Sequence, residues 1–276
     1  MFSYQHAYHA GGPADVVKHA MLSILLERLT AKPKSLTYYE THAGRAAYRL
    51  DAPEAIKTNE AAHGIARILP LAAQAPAILS PYLTLQGTPN RYLGSPLLAA
   101  NLLRGDDALV LCEAHPREHA ALADAMAKHA NAQVLQADGP AHIPTLLPPA
   151  TARGLVLIDP AYERQQDYAA TASTVAAMLK AWPKAVIMVW YPLLPEGRHV
   201  GLVNALENLE IPATLQAELC WRKGKGRGAY GSGQLILNLP YGLEDDLTTA
   251  LEWLLPHLTA DGDDGLLRLG FLHPPR

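Results

Sequence analysis

Cysteine is nearly absent, with Cys112 and Cys220 the only two in 276 residues. Both fall inside apolar, strand-like runs, so they read as reduced structural thiols of a cytosolic chain rather than as a disulfide framework. No apolar run reaches the roughly 18 residues that a membrane helix needs, because charge or proline breaks the richest candidates. No membrane partner is therefore expected. The start, MFSYQHAYHA, lacks the basic head and apolar centre of a secretory signal, and the expected location is the cytoplasm. Neither sign of charge dominates: 23 Lys and Arg stand against 26 Asp and Glu, a net charge of −3. A nucleic-acid partner would thus have to be held by a local basic surface. There is no fixed-period repeat, no block of like charge, and no G-x-G-x-x-G dinucleotide fingerprint.

What is present is a core-forming composition. Hydrophobic residues make up 49% and charged residues 18%, which excludes a mostly disordered chain. The length fits one large domain or two small ones. From Pro13 to about Leu29, apolar residues recur at Val17, Met21, Leu25 and Leu29, which predicts an amphipathic helix with Pro13 in its first turn. SLTYYETHAG follows as a β-rich run ending in a glycine turn. Residues 52–90 are Ala-rich, helical in period and punctuated by prolines, and predict a helical insertion. Strand and helix then alternate, with strands at ALVLCE, AQVLQADG, GLVLIDPAY and AVIMVWYP. That alternation predicts a three-layer α/β fold with a mostly parallel sheet. ATLQAELC and QLILNLP, joined by RKGKGRGAYGSG, predict an antiparallel ending.

In an open parallel sheet, ligands gather at the carboxyl ends of the strands. Four predicted strands deliver an acid there: Glu40 before Thr41-His42-Ala43-Gly44, Glu113, Asp138 before Gly139, and Asp159 before Pro160-Ala161-Tyr162. Glu113 has two acceptor oxygens at a spacing suited to a ribose diol, or it caps the next turn. Asp138-Gly139 suits an adenine amino group, or is a plain turn. Asp159-Pro160-Ala161-Tyr162 is the sharpest element. The exocyclic amine of adenine is a poor nucleophile because its lone pair is delocalised into the ring. Hydrogen bonds from N6 to a carboxylate and a backbone carbonyl favour a localised lone pair, and an aromatic two residues on can stack the base. Such a base must leave its duplex or be unpaired already. The plain alternative is an acidic strand end followed by a helix-starting proline.

Taken in order, these residues resemble a known family. D-P-A-Y at 159–162 is similar to the [DNS]-P-P-[YFW] signature of S-adenosylmethionine-dependent amino methyltransferases. YQHAYHAGGPADVVKH, THAG, GSPL, EAHP and ADG, in that sequence, resemble the RlmJ family of 23S rRNA adenine-N6 methyltransferases. The resemblance implies a Rossmann-like class I methyltransferase domain over 1–51 and 91–276, with an inserted helical subdomain at 52–90. It implies S-adenosylmethionine as methyl donor, S-adenosylhomocysteine as product, and adenine 2030 of 23S rRNA as target. It places cofactor contacts at His19, His42, Gly44, Ser95, Glu113, Asp138, Gly139 and Asp159. Asp159 becomes the proton acceptor, with Pro160 and Tyr162 beside it, and Tyr4, His6 and Lys18 join the active site. Two departures stand out. Ala161 replaces the second proline of the signature, which implies a less rigid loop, and Arg45 follows the THAG turn.

The loop Arg222-Lys223-Gly224-Lys225-Gly226-Arg227, flanked by Trp221 and Tyr230, supplies local positive charge. Arg222, Lys223, Lys225 and Arg227, with Tyr4, are the candidate RNA contacts, through phosphates and unpaired bases; a solvated hairpin tip is the alternative. His6, His9 and His19 do not make a metal site on histidine density alone, and no metal is expected. A DNA adenine-N6 methyltransferase and a non-catalytic cofactor- and RNA-binding scaffold are the competing functions. Whether the RNA is naked or part of an assembly intermediate, and the oligomeric state, are left open.

Overall fold

The computed structural model describes residues 5–88, 90–224 and 228–275. Five strands run parallel: β1 (Thr37–Glu40), β4 (Ala108–Cys112), β5 (Ala132–Leu135), β6 (Gly154–Ile158) and β7 (Val186–Leu193). Three antiparallel strands complete the sheet, β8 (Thr214–Cys220), β9 (Gly231–Leu237) and β10 (Leu266–His273). The order is β10-β8-β9-β7-β6-β1-β4-β5. The remaining strands, β2 (Ala47–Arg49) and β3 (Arg91–Leu93), form a separate antiparallel pair. This is the expected Rossmann-like, mostly parallel sheet with an antiparallel end.

The runs ALVLC and GLVLI read as strands because both their faces are covered, which favours continuous aliphatic sequence over alternation. Leu155 and Leu157 pack on one side of the sheet, Val156 and Ile158 on the other. The first side is covered by α1 (Pro13–Thr30), α5 (Ser95–Leu102), α6 (Pro116–Met126) and α10 (Glu244–Leu258). The second carries α8 (Gln165–Ala181), α9 (Val200–Glu207) and the residue following the short α7 (Gly139–His142), Ile143.

One difference from expectation is physical. Helix α1 is enclosed on nearly every side instead of showing one apolar stripe, because α5, α10 and the helical stretch pack around it. Lys18 and Asp15 are therefore buried along with the leucines. Between β2 and β3 the chain is helical, with α2 (Pro53–Thr58), α3 (Ile65–Ile68), α4 (Ser80–Leu85) and intervening 3-10 turns. Ile65, Ile68, Leu79, Tyr82 and Leu83 of that stretch join the same core as α1.

The strand order reverses between β1 and β6, since the chain runs outward through β4 and β5 before returning beside β1 as β6. Such a reversal opens a crevice at the carboxyl ends of the strands. His42 follows β1 and Asp159 follows β6, so the two flank it.

Candidate active site

Two cavities meet at this crevice. The first is lined by His19, His42, Gly44, Ser95, Glu113 and Pro160, among others. The second, of about 570 Å³, is walled by Asp15, Trp190, Pro192, Trp221 and Arg222 together with Arg67 of the helical stretch. That volume lies within the roughly 300–1,000 Å³ typical of ligand sites. His6, Lys18, Asp159 and Ala161 line both.

The first cavity is built by turns that need glycine. Gly44 adopts a positive φ of 62°, and its N–H donates to Glu113 Oε2 at 2.9 Å. Glu113 Oε1 accepts the N–H of His115 at 2.7 Å, so the carboxylate is fixed between two loops. At Gly139 a Cβ would stand 2.2 Å from the Thr41 carbonyl oxygen, so only glycine lets α7 approach the β1 turn this closely. Asp138 precedes Gly139 at the start of α7, where its side chain makes no capping hydrogen bond. It is exposed and outside the residues lining either cavity, though its charge reaches the His42 imidazole. Arg45 does sit at the turn, where it forms a two-pronged pair with Glu118 of α6, with Nε to Oε2 at 2.8 Å.

Burial favours the neutral form of two histidines here, His19 and His42. Burial pushes His19 down to about 3, with Lys18 and His6 adding to the effect against Asp15. Its Nδ1 bonds the Tyr92 hydroxyl at 2.7 Å, while the buried Nε2 has no partner among the described residues. Burial also lowers His42, whose Nδ1 meets the Thr41 hydroxyl at 2.7 Å.

Lys18 is the electrostatic centre of the shared wall. Its Nζ donates to Asp159 Oδ2 at 2.6 Å and lies 3.0 Å from Asp15 Oδ1. It also stands 5.6 Å from the centre of the Trp190 ring. Burial alone would lower the ammonium, but the charges of Asp15 and Asp159 outweigh it and hold Lys18 above its ordinary value. His6 Nε2 meets Asp15 Oδ2 at 2.9 Å. His9 turns to Glu60 at 2.8 Å, and among the described residues no cluster suited to a metal occurs.

Tyr162 contributes to the second cavity but is only 4% exposed. Its hydroxyl donates to the Trp190 carbonyl at 2.8 Å and its ring packs 4.4 Å from Tyr168, centre to centre. Tyr4, Lys225 and Arg227 lie outside the described residues. Arg222 reaches the second cavity, whereas Lys223 is exposed, 3.7 Å from Asp264. The residues that sequence reasoning left out are Asp15, Trp190, Arg67 and Glu118. Asp15 carried a readable signal, since it stands three residues before Lys18 on one helix.

Glu40, buried at the end of β1, accepts hydrogen bonds from the Ser95 and Tyr38 hydroxyls. Burial pushes its carboxyl up to about 8 despite those bonds. At Glu40 the folded protein holds a proton that the unfolded chain releases between the ordinary 4.5 and about 8, so the contribution of this group to stability falls as pH rises across that window. Glu40→Gln removes the effect. Its unfolding free energy should match wild type near the acid end and exceed it by about 1–4 kcal/mol at the alkaline end. Urea unfolding across the window checks this, and a difference independent of pH would contradict it.

Similar proteins match nearly the whole chain. The family model described as Ribosomal RNA large subunit methyltransferase D, RlmJ, matches residues 33–269. A protein of Escherichia coli (strain K12) called Ribosomal RNA large subunit methyltransferase J is 37% identical over 95% of this chain and 96% of its own. The protein of the same name in Haemophilus influenzae is 35% identical over 95% and 96%. A crystal structure of a Legionella pneumophila protein superposes with a TM-score of 0.88 at 31% identity, covering 95% of this chain and 98% of that one.

Proposed function

Because the chain belongs to the RlmJ family of ribosomal RNA large subunit methyltransferases, we propose that it methylates N6 of an adenine in 23S rRNA, with Asp159 accepting the proton. The observation that carries this reading is the meeting of two cavities at one carboxylate, Asp159. A donor and an acceptor entering from opposite sides would touch there.

The first cavity fits S-adenosylmethionine on its donor set. Glu113 faces it as a fixed carboxylate suited to a ribose, and Ser95 and His19, whose Nε2 has no partner among the described residues, offer further polar atoms. Asp138 and Gly139 form the adjacent turn. When bound, S-adenosylmethionine supplies a methyl group activated on a sulfonium, the S–C bond breaking toward sulfur, and leaves as S-adenosylhomocysteine. The second cavity receives the adenine, unpaired from its strand, beside Tyr162, Trp190 and Pro192. Asp159 accepts a hydrogen bond from N6–H while the Pro160 carbonyl takes the other, which localises the lone pair for attack. As the N–C bond forms, the proton that N6 sheds passes to a carboxylate oxygen of Asp159. Lys18 donates to that side chain and holds it in place. Positioning and preorganised charge supply most of the acceleration.

Arg67 and Arg222 bring positive charge to the lining of the acceptor cavity, in keeping with an RNA backbone. Residues 52–90 read as an inserted helical subdomain, supported by the β2–β3 pair that closes at its base. The test is product analysis. Labelled S-adenosylmethionine is incubated with protein-free 23S rRNA, assembled subunits or DNA, and the nucleosides are then separated. The expected label is N6-methyladenosine from rRNA. Label in DNA alone, or in another nucleoside, would overturn the assignment.

A further inference from the structure

We propose that Asp15 is a positioning residue for this transfer: it anchors Lys18 and His6 in the shared wall and divides the Lys18 charge between two carboxylates, so that Asp159 stays able to take a proton. The inference rests on the reading of Asp159 as proton acceptor.

Asp15 lies in the first turn of α1 and is 3% exposed. Its Oδ2 accepts the Gly11 N–H at 3.0 Å and meets His6 Nε2 at 2.9 Å, while Oδ1 lies 3.0 Å from Lys18 Nζ. One carboxylate thus ties the N-terminal turn, the helix and the ammonium together. It lines the second cavity but not the first.

A lone Lys18–Asp159 pair would draw the carboxylate into a tight ion pair and weaken it as a base, since an adjacent opposite charge favours the ionised form. A second carboxylate on the same ammonium offsets that pull. The other groups facing Asp159 cannot take this part. At the end of β1 burial raises Glu40 and lowers His42, which favours the neutral form of each, and Trp190 on β7 offers only a ring face to Lys18. Asp15 itself stays ionised. Burial would raise it, but the charges of His6 and Lys18 hold it well below the usual carboxylate range.

Asp15→Asn tests the idea, because it removes the charge and keeps an acceptor oxygen. In ligand-free protein, the Asp159 carboxyl followed by carbon NMR should titrate below its wild-type position. The acid limb of kcat against pH should move the same way, and plateau kcat should fall about tenfold or more. KM for RNA and the Kd for S-adenosylmethionine should stay near wild type. Asp15→Glu, which restores the charge, should recover the wild-type Asp159 titration even if its length lowers turnover. Superimposable titrations and pH profiles in Asp15→Asn would overturn the proposal and leave Asp15 a structural residue. Undiminished turnover in Asp159→Asn would instead sink the reading of Asp159, and the NMR comparison would still decide the role of Asp15.

Discussion

Replacing Asp159 with alanine should abolish methyl transfer while leaving the protein folded and its affinity for S-adenosylmethionine within a few fold. The side chain sits at the junction of the two cavities, 13% exposed, with one oxygen on Lys18. Removing it takes away the acceptor for the N6 proton and the bond that localises the N6 lone pair. General-base roles of this kind are worth about 10²–10⁴ in rate. The fold should tolerate the change because Lys18 keeps Asp15 as partner, so no buried charge is left unpaired. Single-turnover kinetics together with calorimetric binding of the methyl donor measure both parts. Turnover retained in purified variant protein would contradict the assignment.

Lys18→Met should behave in the opposite way and damage the fold itself. Without the ammonium, Asp15 and Asp159 face each other in a largely buried space with no cation between them. Breaking a buried pair by deleting one partner costs about 3–5 kcal/mol. The sign of the pH dependence follows. In wild type the Asp15 carboxyl is depressed, so its contribution to stability is present above the ordinary value of 3.8 and fades as pH falls through the depressed one. In the variant the carboxylates are raised instead, and stability is lost as pH rises. The gap from wild type should therefore be widest at neutral pH and close toward the acid end. Adding Asp15→Asn to Lys18→Met should restore part of the loss, because it removes one of the two repelling charges. Chemical unfolding of the four proteins of this cycle measures it, and additive effects would show that the pair is not coupled.

Much of this was legible in the chain. The parallel strands stood out because covered faces demand aliphatic runs such as GLVLI, and their carboxyl ends located His42, Glu113 and Asp159 before any coordinates. What sequence could not carry was burial of charge. Lys18 and Asp15 are charged positions in a largely apolar helix, yet they are enclosed because each satisfies the other. Tyr162 read as a stacking platform, whereas its ring is mostly packed against Tyr168. Helix α10 and strand β10 went unread although each carries a period: Leu247, Leu251, Leu254 and Leu258 form a helical stripe, and Leu267, Leu269 and Phe271 alternate with Arg268 and Gly270. The walls of the acceptor cavity were hidden for a different reason. They come from Arg67, Trp190 and Trp221, which lie far apart in sequence and are brought together only by the packing of the helical stretch against the sheet.

The measurement that bears most directly on the two-cavity account is a structure of the protein with S-adenosylhomocysteine and a short adenine-containing oligoribonucleotide. The account predicts sulfur in the cavity of Ser95, Glu113 and His42, and the adenine in the other, with N6 about 3 Å from an Asp159 oxygen. An adenine lodged away from Asp159, or both ligands sharing one cavity, would contradict it.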